Sequence, residues 1–250
     1  MKDLLRVSLV GLISGITGTG IGGLMAFFVK NISNRTLSSI MEFSAGLMTA
    51  VVCFKLIPEA FELGNIATVI LSVLIGVFVI ILLEDIIINA EFLKKKKSKQ
   101  NSGLLRVGVL TAIGIALHNF PEGFAVGSGF EASISLGVTL TLVILIHDIP
   151  EGIAMAVPLK TGGFSGMKSF ILTILSGVPM GLGAFIGAAL GGISKQFIAM
   201  CLGFAGGAML YITCSELIPE SQDLYRGKVS SLSLIMGLIA GIIISRMVLS

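Results

Sequence analysis

Charge is what this chain has least of. Asp, Glu, Lys and Arg make up 12% of its 250 residues while hydrophobic residues make up 54%, and the mean hydropathy is +1.02. So few polar groups cannot cover a water-facing surface, which excludes a soluble globular domain. The alternating pattern of a membrane barrel is missing as well, so helices are left as the spanning element. The three cysteines, Cys53, Cys201 and Cys214, show no CxxC or Cys–His spacing. That excludes a disulfide framework and a structural zinc finger, and the three read as buried free thiols. No P-loop is present, which excludes direct coupling to ATP. Behind the short basic start there is no small-x-small cleavage site followed by a polar segment. Residues 8–29 therefore read as a first span and not as a removable signal.

Long apolar runs and 32 glycines are present in their place. Runs of about twenty residues match roughly 30 Å of hydrocarbon, and glycine lets neighbouring membrane helices approach closely. The expected fold is an all-α membrane protein with eight transmembrane helices. Spans are expected near 4–29, 38–62, 66–90, 104–128, 133–158, 168–192, 196–219 and 229–249, forming a single transporter domain over residues 1–250. The net charge of +3 is small, but its distribution is informative. Lys94 to Lys97 and Lys99 cluster between the third and fourth spans, and the positive-inside rule makes residues 91–103 a basic cytoplasmic loop. Both termini then lie outside, and most of the 17 basic residues fall on the cytoplasmic side. Topology accounts for the lysine run, so no nucleic-acid partner is expected.

An internal repeat is visible. The segment Phe43 to Ala60, FSAGLMTAVVCFKLIPEA, aligns without gaps to Phe204 to Ser221, FAGGAMLYITCSELIPES, with Phe, Gly, Met, Cys, Leu, Ile, Pro and Glu matching. The second and seventh spans run in opposite directions, so the copies are antiparallel. The expected architecture is an inverted 3+2+3 repeat, with spans four and five as a central pair.

The chain's 2 histidines begin the same hexapeptide, His118-Asn-Phe-Pro-Glu-Gly123 and His147-Asp-Ile-Pro-Glu-Gly152. Each lies deep in an apolar span, where ionisable groups are costly and mark function. His and Glu at i and i+4 share one helical face. They offer an imidazole nitrogen and a carboxylate oxygen, ligand types that suit Zn²⁺ and neighbouring divalent cations. The metal-ligating residues expected are His118, Glu122, His147 and Glu151, with Asn119 and Asp148 as an adjacent set; Met48 on the second span reads as a packing residue or as a soft thioether contact. Pro121 and Pro150 free the carbonyls of Leu117 and Ile146, and Gly123 and Gly152 admit a neighbouring helix. Lys55 and Glu216 take equivalent repeat positions with opposite charge.

The paired HNFPEG and HDIPEG helices, eight spans and the basic loop together resemble the ZIP family of zinc and iron-regulated transporters, in its short prokaryotic GufA-like branch. The resemblance covers essentially the whole chain. It implies metal uptake towards the cytoplasm across the cell membrane, homodimers, and a binuclear-type site in spans four and five. It implies metal binding by His118, Glu122 and Glu151, with Asn119 and Asp148 at an adjacent position, His147 at a variable one, and Met48 completing the first. Many of the branch carry a glutamate before a proline in span six. Here Ser176-Gly-Val-Pro179 puts Val178 at that place, which implies a weakened second metal position.

The expected function is therefore carriage of a divalent metal, Zn²⁺ first and Fe²⁺, Mn²⁺, Co²⁺ or Cd²⁺ as other cations the donors suit. The metal is the transported substrate, no prosthetic group is expected, and the remaining partners are membrane lipid and a second copy of the chain. The rival class is an intramembrane zinc metalloenzyme. Against it, HExxH is absent and each glutamate stands a helical turn after its histidine instead of beside it.

Overall fold

The computed structural model describes residues 2–28, 33–89, 102–161 and 163–247, with side chains at 102–115, 118 and some positions near helix ends outside that set. The basic run at Lys94 to Lys97 and Lys99 lies outside the described residues. Among the described residues every regular element is helical. We number the helices α1 (Lys2–Phe28), α2 (Asn34–Leu63), α3 (Ile66–Asn89), α4 (Ser102–Ala132), α5 (Ile134–Thr161), α6 (Gly166–Gly191), α7 (Lys195–Leu224) and α8 (Lys228–Met247). Seven of them are long and apolar enough to cross a membrane, and α4, with 31 residues, has the length to do so. The fold is an all-α membrane protein.

Local chemistry explains where the helices begin and bend. Ser33 caps α2 by accepting the Thr36 N–H at 3.1 Å, and Ser194 caps α7 by accepting the Phe197 N–H at 3.3 Å. Each helix then widens into a π-helical stretch, Val52–Leu56 in α2 and Thr213–Leu217 in α7. Both stretches run directly into Ile-Pro, at Pro58 and Pro219. A proline offers no N–H to the ladder, and a π turn accommodates the lost bond without ending the helix. Helix α6 solves the same problem differently. It breaks at Gly177, just ahead of Pro179, into Gly166–Ser176 and Val178–Gly191.

The caps, π stretches and helix ends of α2 and α7 coincide under the shift that carries Phe43 onto Phe204. The repeat therefore extends well past the segment legible in the sequence, and packing follows it. Helix α2 packs on α8 as α7 packs on α3, and α1 packs on α5 as α6 packs on α4. Even the backbone contacts repeat. A side chain at Gly152 would strike the backbone of Thr19 in α1, and one at Gly123 would strike the backbone of Met180 in α6. Gly46 abuts Leu234, and Gly207 abuts Val73. In each pair the second contact is the first carried across the repeat. Because α2 and α7 stand at even and odd places among spanning helices, the copies are inverted. The two glycines that close the hexapeptides are thus among the points where α1 and α6 touch the central pair.

The main core lies where α2, α4, α5 and α7 meet, around Leu47, Val52, Phe124, Leu140, Leu202 and Met209. One expectation is corrected. Cys201 is buried, but Cys53 and Cys214 are exposed, because these repeat counterparts turn outward from the π stretches.

Gly152→Val forces α1 off α5 and lowers stability by about 2 kcal/mol. In Gly20→Ala, by contrast, the added methyl meets Ile174 at an ordinary 3.4 Å and the variant is not destabilised, gaining up to about 1 kcal/mol from helix propensity. Thermal unfolding of the detergent-solubilised protein distinguishes the two.

Candidate metal site

Helices α4 and α5 both run unbroken through their prolines, and each places the motif glutamate one turn beyond the histidine. In the described set this brings Glu122, His147, Asp148 and Glu151 together, with one ligand atom from each lying within 4.8 Å of the others. All four are buried. His147 Nε2 stands 2.9 Å from Glu122 Oε1 and 3.3 Å from Glu151 Oε1. Two ligands bound tetrahedrally to one zinc ion are separated by about 3.3 Å, so these atoms are spaced as zinc ligands need. The other face of the imidazole meets α2, where the Ser44 hydroxyl lies 2.6 Å from Nδ1.

The remaining donors are oriented by their surroundings. Asn119 Nδ2 donates to the Ser176 carbonyl at 2.8 Å, where α6 breaks. Because a carbonyl only accepts, this bond fixes the amide so that Oδ1 is the free end. Asn119 Oδ1, Glu122 Oε2, both oxygens of Asp148 and both of Glu151 are buried and accept no hydrogen bond from the described residues. Three carboxyl groups therefore share an enclosed space with one imidazole. Oxygens in that position demand a compensating cation, since burial without a partner is costly.

The ZIP zinc transporter family model matches residues 90–248, which include both hexapeptides. The chain belongs to the ZIP family. It is similar to the zinc transporter ZupT of Chlorobaculum parvum, 33% identical over 131 residues that are 46% of this chain and 48% of the relative. The ZupT of Clostridium perfringens is 31% identical over 155 residues, covering 50% of this chain and 54% of the relative. That of Streptococcus mutans is 34% identical over 121 residues, covering 43% and 46%. The chain spans about half the length of the curated relatives it matches. ZIP membership is membership of a transporter family, which removes the intramembrane metalloenzyme.

Of the residues singled out in the sequence of this ZIP protein, Glu122, His147, Asp148 and Glu151 meet in one cluster, and Asn119 is buried with its free oxygen unpartnered. The His118 side chain lies outside the described residues. Met48 is buried in the main core, and its Sδ is 2.7 Å from the Thr213 hydroxyl. Val178 is 43% exposed, and the α6 residue that reaches Asn119 is Ser176. The second half of α6 starts at Val178, which is about 200° around its axis from the buried Met180. Lys55 is buried and Glu216 half-buried. Two residues escaped sequence reasoning. Ser44 is one turn before Met48 on the same face of α2, a signal that was there to use. Glu42 is buried at 2% exposure and accepts from Ser221 at 2.7 Å, with its other oxygen unpartnered.

Buried oxygens without donors make the cluster costly to keep when no cation is bound. Asp148→Asn, measured by thermal unfolding after chelation, stabilises the empty protein by about 1 kcal/mol. The same variant loses most of the stabilisation that added zinc gives the unaltered protein.

Proposed function

We propose that the protein carries divalent transition metal, chiefly Zn²⁺, across the cell membrane into the cytoplasm through the cluster between α4 and α5. The observation that carries this reading is the set of buried, unpartnered oxygens around His147 Nε2. It is a mixed nitrogen and oxygen donor set, which suits Zn²⁺ and also Fe²⁺, Mn²⁺, Co²⁺ and Cd²⁺, with geometry choosing among them. Magnesium, which holds its water and asks for octahedral oxygen, is a poor match for an imidazole in a dry pocket. The ZupT relatives are named as zinc transporters, which agrees with this choice.

His118 joins the site in this proposal as the partner of Glu122 on α4. Met48 faces the same way as Ser44 along α2 and supplies a soft contact during passage. The termini lie outside, residues 91–103 form a cytoplasmic loop, and the protein works as a homodimer surrounded by lipid. The eight expected spans remain the proposed transmembrane boundaries, and the metal itself is the cargo with no prosthetic group.

Uptake of zinc into proteoliposomes, followed with an enclosed zinc-sensitive dye, tests the reading. Glu122→Gln and Glu151→Gln each lower the initial rate at least about tenfold, the least that losing a ligand costs when outer partners alone cost that much. Cadmium competes with zinc, whereas an excess of about tenfold Mg²⁺ does not. Uptake unchanged in the His118→Ala/Glu122→Ala double variant overturns the site.

A further inference from the structure

We infer that Ser44 of α2 is a positioning residue that holds the His147 imidazole with its Nε2 lone pair turned into the metal site. The inference rests on the proposed role of His147 as a metal ligand and adds to it the group that aims the ring. Two distances carry it. Ser44 Oγ is 2.6 Å from His147 Nδ1 and 3.3 Å from the carbonyl oxygen of the same residue. Both residues are buried, and the pair joins α2 to α5 with no water-facing side.

The hydroxyl has one proton and two lone pairs. With metal on Nε2 the imidazole keeps its proton on Nδ1 and donates it to Ser44 Oγ, whose own proton is then directed to the His147 carbonyl. With Nδ1 protonated, Nε2 is the nitrogen with a free lone pair, and it faces Glu122 Oε1 and Glu151 Oε1. A histidine that binds metal is commonly held by a partner on its other nitrogen, which fixes both tautomer and ring plane. Ser44 is the described residue hydrogen-bonded to that nitrogen. Its own placement is well determined. It belongs to the face of α2 that Met48 shares, and the backbone contact between Gly46 and Leu234 seats the intervening turn on α8. Helix α2 thus belongs to the site through a residue that never touches the cargo.

The role separates from simple packing by metal preference. Imidazole matters more to zinc than to manganese, which favours oxygen ligands. In proteoliposomes of the full chain, Ser44→Ala raises the half-saturating zinc concentration about tenfold, the usual cost of removing a ligand's outer partner. The half-saturating manganese concentration changes less than about twofold. Ser44→Thr restores the hydroxyl and returns zinc to within about threefold of the unaltered protein. The Ser44→Ala/His147→Ala double variant is no weaker for zinc than His147→Ala alone, because the two act as one unit. An equal loss for both metals, additive losses in the double variant, or no recovery with threonine overturns the inference. Thermal unfolding of each variant identifies any that fails to fold, and in that case Ser44→Cys, which keeps the size and weakens the hydrogen bond, takes the place of alanine in the same comparison. If His147→Ala itself leaves zinc uptake unchanged, the reading of His147 as a ligand fails. If His147→Ala weakens zinc and Ser44→Ala does not, the positioning role alone fails.

Discussion

Hydrocarbon gives helices no hydrophobic reward for leaving lipid, so α4 and α5 must be held by contacts that a lipid tail cannot replace. Those contacts are backbone against backbone. Gly152 lets α5 touch α1 at Thr19, and Gly123 lets α4 touch α6 at Met180. Each contact lies one residue beyond a motif glutamate, so the carboxylates are anchored beside close backbone contacts. That anchoring keeps the unpartnered oxygens of Glu122, Asp148 and Glu151 together in spite of the cost of burying them.

The same constraint explains what could be read in advance. Spanning helices and the pair of hexapeptides were legible because apolar length and costly buried charge leave marks in a single chain. Outside the hexapeptides the repeat was legible only where Phe43 to Ala60 aligns with Phe204 to Ser221, because identical residues survive there. Its full extent shows in the serine caps, the π stretches and the glycine contacts, which depend on backbone geometry more than on residue identity. Val178 shows the opposite limit. Matching by linear position put it at the site, whereas the break at Gly177 puts Ser176 there and turns Val178 outward. A helix interruption changes which residues share a face, and composition carries no trace of it.

A symmetric scaffold does not make a symmetric site. Asn119 and Asp148 hold corresponding places in the two motifs, yet they behave differently. The asparagine has an amide donor and uses it on the Ser176 carbonyl, which ties α4 to the break in α6. The aspartate has no donor in its ionised form. It lies beside Gly18 of α1 with both oxygens unpartnered. One amide thus stabilises the frame, while one carboxylate is left for a cation. The difference of a single atom type converts a repeated backbone into a place with a direction of charge.

The asymmetry continues beyond the site. Where α2 begins, Ser38 bonds to the Tyr225 carbonyl at 3.1 Å and meets the Ser230 hydroxyl at 2.9 Å, and Ser221 donates to Glu42. Carried across the repeat, those positions become Ala199, Gly64, Val69, Ala60 and Gly203. Ala199, Val69 and Ala60 are wholly buried apolar residues of the main core. One end of the bundle is therefore closed by hydroxyls and a carboxylate, and the other by small apolar side chains in direct contact. Both solutions satisfy the rule that buried polar groups need partners: the first pairs several across helices, and at the second the Ser72 hydroxyl beside Gly203 donates to the Val69 carbonyl of its own helix. Glu42 Oε2 is the exception, a buried oxygen with no donor in a seam otherwise built of matched pairs. The backbone plan is common to both ends, so the chemical difference between them is the work of these few side chains.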